Sequence, residues 1–249
     1  MNLFNAIGNE VPGQPSLGTD GGHAGFEPPG AVLALESMGV FVTLTFGVPL
    51  TVYDIESKAV GGNVAAKLVT ALSAMGASVD GTKLQANDRL FDFVLTMNLF
   101  RGLGSVEIRS GEAVCRFTEI KSRADIDHVG RACDAVWGEI RGLGSKVRLS
   151  TIQTFAHFAT VEGSVSTLFP SHPGFKKVNC IEFADVDPTI RRKWRFERSE
   201  LIDDGLFLAA ELRPVADESS ERWFGTAFTL GYWLQQLLRD SGLKWKSDR

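Results

Sequence analysis

The segment MGVFVTLTFGVPLTV, residues 38–52, decides what kind of protein this is. It is the most apolar run in the chain, so it belongs either in a bilayer or in a core. Threonines, Gly39, Gly47 and Pro49 interrupt it, and it falls short of the roughly 20 apolar residues that a membrane-spanning helix needs. Its pattern alternates instead. Val42, Leu44, Phe46 and Val48 fall on one side, with Thr43 and Thr45 on the other. That period of two predicts a half-buried β-strand.

Working outward, Asn63 is a good N-cap for a helix carrying Val64, Leu68, Leu72 and Met75, and Gly76 stands where a helix ends. Phe91, Phe93, Leu95, Met97 and Leu99 alternate with polar residues and predict a strand. Turns at Gly102–Gly104 and Ser110-Gly111 separate two further short strands, at Val106–Ile108 and Ala113–Phe117. Ser122 caps a predicted helix whose inner face is Ile126, Val129, Cys133, Val136, Trp137 and Ile140. The second part repeats the order. An extended segment runs from Val147 to Phe158, and an irregular connection with Pro170 and Pro173 follows. Strands are predicted at 180–185, 190–198 and 206–212, then a long aromatic helix over about 219–239.

This recurrence predicts an α+β fold of two similar tandem halves, each an antiparallel sheet of about four strands packed against a long helix. The expected divisions are a Gly/Pro-rich N-terminal arm over 1–35, a first half over 36–144 and a second half over 145–249. The chain has 249 residues, 44% hydrophobic and 22% charged, which excludes collagen, coiled coil and wholesale disorder. The formal net charge is −4, with no global pull toward nucleic acid or anionic membrane. It divides unevenly: 11 basic and 16 acidic residues precede position 145, and 15 basic and 14 acidic follow. The opening MNLFNAIGNEV has no basic start and no long apolar core, so no secretory signal is expected. Cys115, Cys133 and Cys180 are odd in number and lack CxxC spacing, which suggests buried, reduced thiols in the cytoplasm and no zinc site.

The most distinctive chemistry lies in TIRRKWRFER, residues 189–198. In a strand, Arg191, Lys193 and Arg195 share one face with Glu197. Trp194 and Phe196 share the other with Arg192 and Arg198. Arg191, Lys193, Arg195 and Arg198 are therefore candidates for holding phosphates or nucleic acid. The alternative is a stripe that faces water or pairs with Glu182, Glu211 or Asp203, over a core containing Trp194 and Phe196. Asp185 and Asp187 form a D-x-D pair that could hold a divalent cation, although Asp187 before Pro188 also suits a turn. Asp203-Asp204-Gly205 reads as a hairpin turn. His23, His128, His157 and His172 have no metal-ligand spacing; His128 is expected on the solvent side of its helix and His157 in the core. No G-x-S-x-G elbow is present, and Gly102-Leu103-Gly104 and Gly142-Leu143-Gly144 lack the rest of a phosphate-binding loop. The terminal helix is apolar nearly all round, so Trp223, Phe224, Phe228 and Trp233 are candidates for a partner or homodimer interface.

The duplicated layout, KVRLSTIQTFAHF at 146–158, the Phe-Pro at 169–170 and the closing aromatic helix together resemble a sporadically distributed family of bacterial proteins of about this length. The resemblance covers roughly residues 36–240. It implies no activity and carries over no catalytic residue, and the family's patchy distribution is compatible with a mobile-element or antiviral-defence setting. The expected function is a non-enzymatic regulatory or accessory binding protein, using the cleft or interface between its halves. The alternatives are nucleic-acid or phosphate binding through the basic strand and a divalent-metal-dependent enzyme. A protein partner or a second copy is expected, with no cofactor and no membrane.

Overall fold

The computed structural model of the chain describes residues 30–56, 63–169, 180–186, 190–214 and 228–246. Strand β1 (Val32–Phe46) leads into two short helices, α1 (Val52–Glu56) and α2 (Val64–Ala71). A meander follows: β2 (Thr82–Ala86), β3 (Phe93–Leu99), β4 (Gly104–Ile108) and β5 (Glu112–Ile120). Helix α3 (Arg123–Gly142) precedes β6 (Val147–Glu162). Then come β7 (Cys180–Val186), β8 (Ile190–Arg198), β9 (Leu206–Pro214), α4 (Phe228–Asp240) and the two-residue β10 (Lys244–Trp245).

All ten described strands belong to one sheet, in the order β2-β3-β4-β5-β1-β6-β9-β8-β7, with β10 alongside the start of β1. This corrects the expected α+β arrangement of two four-stranded sheets, each backed by its own long helix. The cause is the pairing of β1 with β6. These two long antiparallel strands run side by side from Val32–Glu162 to Phe46–Val147, with bulges that absorb register shifts. Their seam joins everything on either side into a single, mostly antiparallel sheet. The strands run outward from it in corresponding order, β1-β5-β4-β3 one way and β6-β9-β8-β7 the other. The helices follow the joined sheet: α3 packs on both β5 and β6, and α4 packs on α3 and β10.

Alternation explains why one face is covered. Val40, Val42 and Leu44 of β1, Ala156 and Phe158 of β6, and Leu208 and Leu212 of β9 are buried. They form one continuous core with Leu68 of α2, Ile126, Val129, Val136 and Ile140 of α3, and Leu234, Leu237 and Leu238 of α4. Residues 36–144 and 145–246 thus share this core, and β1 starts at Val32, inside the stretch expected to be an arm.

Local signals are realised where they were strongest. Ser122 Oγ accepts from the Asp125 N–H, and the Asp125 carboxylate accepts from the Ser122 N–H at 2.9 Å. Burial pulls the Asp125 carboxyl up, but hydrogen bonds from Lys121 and Ser122 and the nearby His128 outweigh it and hold it below its ordinary value. A depressed carboxyl stabilises the fold above its unfolded value and loses that contribution as pH falls through the folded one. The predicted turn at Asp203-Asp204-Gly205 is present, with Asp204 at φ 49°. A Cβ on Gly205 would lie 2.6 Å from Ile202 Cβ, so only glycine fits there.

Candidate binding face

The opposite face of the sheet carries the side chains that alternate away from the core, and register places them in rows. One row crosses five strands: Lys193 on β8 stands opposite Glu211 on β9, then Gln153 on β6, Phe41 on β1 and Arg116 on β5. The next runs from Glu182 on β7 through Arg195 and Ala209 to Phe155 and Gly39. At the seam, Phe41 and Phe155 meet edge to face with ring centroids 6.0 Å apart. Phe155 is 41% exposed.

Arg191, Lys193 and Arg195 are exposed on this face, as the strand period predicts. Their charge is largely answered locally. Lys193 Nζ lies 2.8 Å from Glu182, Arg195 Nε lies 2.8 Å from Glu197, and Arg213 is bonded to Glu211. The stripe therefore belongs to a mixed lattice of both signs. Arg198 does not join it. It is half-buried on the other face, where its Nη1 donates to Ser166 Oγ at 3.1 Å and its guanidinium sits 5.2 Å from the Phe169 ring centroid. Phe196 is buried as expected, while Trp194 is half-buried and stacks on Phe183 at 5.5 Å.

Between Phe155 and the charged rows lies an open hollow of about 190 Å³. Ala209 leaves it room, because its methyl stands between the longer side chains of Phe155 and Arg195. Gln153, Glu182, Lys193 and Glu211 also line it. Further along β6, the His157 ring packs on Phe207 at 4.9 Å, and its Nδ1 shares a 3.1 Å hydrogen bond with Ser199 Oγ. That hydroxyl also accepts from the N–H groups of Leu201 and Ile202, so it braces the β8–β9 turn.

The remaining candidates are not assembled into a site. Asp185 on β7 stands opposite Arg192 on β8, its side chain outside those described, and Asp187 lies outside the described residues. Among the described residues no group of three or more His, Cys, Asp or Glu could hold a metal. Trp223 and Phe224 lie outside the described residues, as do the side chains of Phe228 and Trp233 on α4. His128 is not on the open side of its helix but half-buried, 5.5 Å from the Phe100 ring. Cys115 and Cys133 are buried, and the Cys115 thiol together with burial pushes the Cys133 thiol well up. Cys180 is exposed, contrary to expectation, but partial burial and the carboxylates of Glu197 and Glu182 raise its thiol above the ordinary value. A raised thiol is a poor nucleophile.

Phe41, Phe155 and Ala209 are not among the candidates that the sequence singles out. The signal was present in 152–158, where Ile152, Thr154, Ala156 and Phe158 alternate against Gln153, Phe155 and His157.

No protein-family description matches the chain, and no curated protein does. Among solved structures, the chain described as "Methanococcus jannaschii TBP" overlays with a TM-score of 0.30 at 13% identity, covering 86% of this chain and 98% of that one. A likeness at that score carries no statement about fold or function. Among the described residues, no helix is long and apolar enough to cross a membrane.

Proposed function

We propose that this chain is a non-enzymatic accessory binding protein of the cytoplasm that holds a polypeptide partner on the sheet face that no described helix covers. The contact centres on the seam between β1 and β6. The observation that carries this reading is the exposed Phe155, edge to face with Phe41, set among charges of both signs. Aromatic anchors inside a polar, charge-balanced rim are the pattern of protein recognition surfaces. An accessory role in mobile-element or antiviral-defence systems accords with the family resemblance.

The test uses the full chain and its Phe155→Glu variant as matched baits in its source cells. A partner retained by the first and lost by the second, and then rebuilt from the two purified proteins, is the expected result. Partner sets that do not differ between the baits would sink the proposal.

The second reading is nucleic-acid or phosphate binding through Arg191, Lys193 and Arg195. The observation in its favour is that all three are exposed on one face, beside Arg213. Binding of this kind weakens steeply with salt, in proportion to the phosphates neutralised. Alanine at the three positions would then abolish oligonucleotide binding at low ionic strength. The glutamates that already neutralise Lys193 and Arg195 favour the polypeptide.

A further inference from the structure

We infer that the hollow beside Phe155 is an anchor pocket for one aromatic side chain, tyrosine or tryptophan, of the polypeptide partner. The inference rests on the binding-face reading above and adds what that face recognises. Three properties of the hollow point to this occupant.

The first is size. At about 190 Å³ the hollow falls below the roughly 300 Å³ at which pockets for whole small ligands begin. A nucleotide or cofactor would leave most of its surface outside, whereas one ring fits. The second is the balance of apolar and polar lining. The Phe155 ring and Ala209 line the hollow, and the ring offers an incoming aromatic an edge-to-face or offset contact. The Gln153 carboxamide stands at the rim and no described side chain engages it, so it can accept from a phenol O–H or an indole N–H. The third is charge. Lys193 is matched by Glu182, Arg195 by Glu197 and Glu211 by Arg213. An anionic ligand would have to break these pairs to claim the cations. A neutral ring leaves all three intact, and the paired charges then form the rim that surrounds a buried anchor.

The experiment follows backbone amide shifts of the full chain during titration with N-acetyl-tryptophanamide and N-acetyl-tyrosinamide. N-acetyl-leucinamide and a short oligothymidylate serve as contrasting probes. Ala209→Trp fills the hollow from its own lining and Ala209→Leu fills it in part; neither residue enters the core. The expected result is saturable shifts at Gln153, Phe155, Arg195 and Ala209 with the two aromatic amides. Affinity should fall about tenfold or more in Ala209→Trp, with a smaller loss in Ala209→Leu. Equal shifts with the leucine amide, or none with any amide, would overturn the pocket. Oligothymidylate shifting the same residues with a steep salt dependence would overturn it in favour of nucleic acid. The purified partner separates the two levels: if Phe155→Glu loses it while Ala209→Trp retains it, the face stands and the pocket falls.

Discussion

Along β6, Ile152, Thr154, Ala156 and Phe158 are buried beneath the helices, while Gln153, Phe155 and His157 between them look out from the other side of the sheet. The two sets share a backbone and a hydrogen-bond ladder, yet they are chosen by different pressures. The covered set is apolar apart from Thr154 and merges with residues from every described helix into one core. The uncovered set mixes an amide, a phenyl ring and an imidazole and contributes nothing to that core. The difference teaches that the sheet stabilises the fold through one side and leaves the side chains of the other out of the core.

The largest test of this contrast compares two phenylalanines three positions apart. Phe158 is 0% exposed and packs edge to face on Trp245. Phe158→Ala is expected to cost about 3–5 kcal/mol, the range for emptying a buried aromatic site. Phe155→Ala removes a ring that is 41% exposed and touches Phe41, and is expected to cost clearly less, about 1 kcal/mol. Chemical denaturation of both variants checks this, and equal losses would erase the distinction between the faces.

The strands carrying the charged rows depend on the turn that joins β8 to β9. A Cβ on Gly205 would meet Ile202 Cβ at 2.6 Å and the Ile202 carbonyl oxygen at 2.8 Å. Gly205→Ala must move backbone, at a cost of about 1–3 kcal/mol. Because Ser199 braces the same turn and holds His157, amide shifts in the variant should spread from the turn toward His157. Shifts confined to residues 202–206 would show that the turn and the face are independent.

These elements differ in how much of them could be read from the chain. Helix α3 was legible because Ser122, the apolar spacing and the terminal glycines lie within one local window. The hairpin at Asp203–Gly205 and the alternation of Arg191, Lys193 and Arg195 were legible for the same reason. The union of β1 with β6 was not, since it joins residues more than 100 positions apart and no local period announces a partner. Strand β2, TKLQA, has too little apolar alternation to stand out, and its place is set by pairing with β3. For the face, strand period showed which basic residues travel together. It did not show that Lys193 meets Glu182 rather than Ala184, which stands directly opposite it. That choice belongs to register and side-chain reach.

Thr154 is the exception on the covered face and gives a smaller effect of opposite sign. It is 0% exposed, and its Oγ1 has no hydrogen-bond partner among the described residues. A buried hydroxyl without a partner costs free energy, and valine has nearly the same shape. Thr154→Val is expected to raise stability by about 1 kcal/mol. A loss of stability would mean that the hydroxyl is engaged and that the covered face has a polar requirement of its own.

The smallest effect bears on whether the uncovered face is open to water in the free protein. Lys193 and Glu182 have side chains 57% and 49% exposed, so their 2.8 Å contact is heavily screened. A double-mutant cycle with Lys193→Met and Glu182→Gln should give a coupling of about 0.2–1 kcal/mol that shrinks as salt is added. A larger coupling that resists salt would place the pair in a dry environment, which an uncovered face does not provide. Repeating the cycle with a partner bound reverses the expectation. A polypeptide seated over Phe155 excludes water from the rim and strengthens the attraction between the charges there, because the local dielectric falls. A polyanion would instead compete for Lys193 and drive the coupling with Glu182 toward zero.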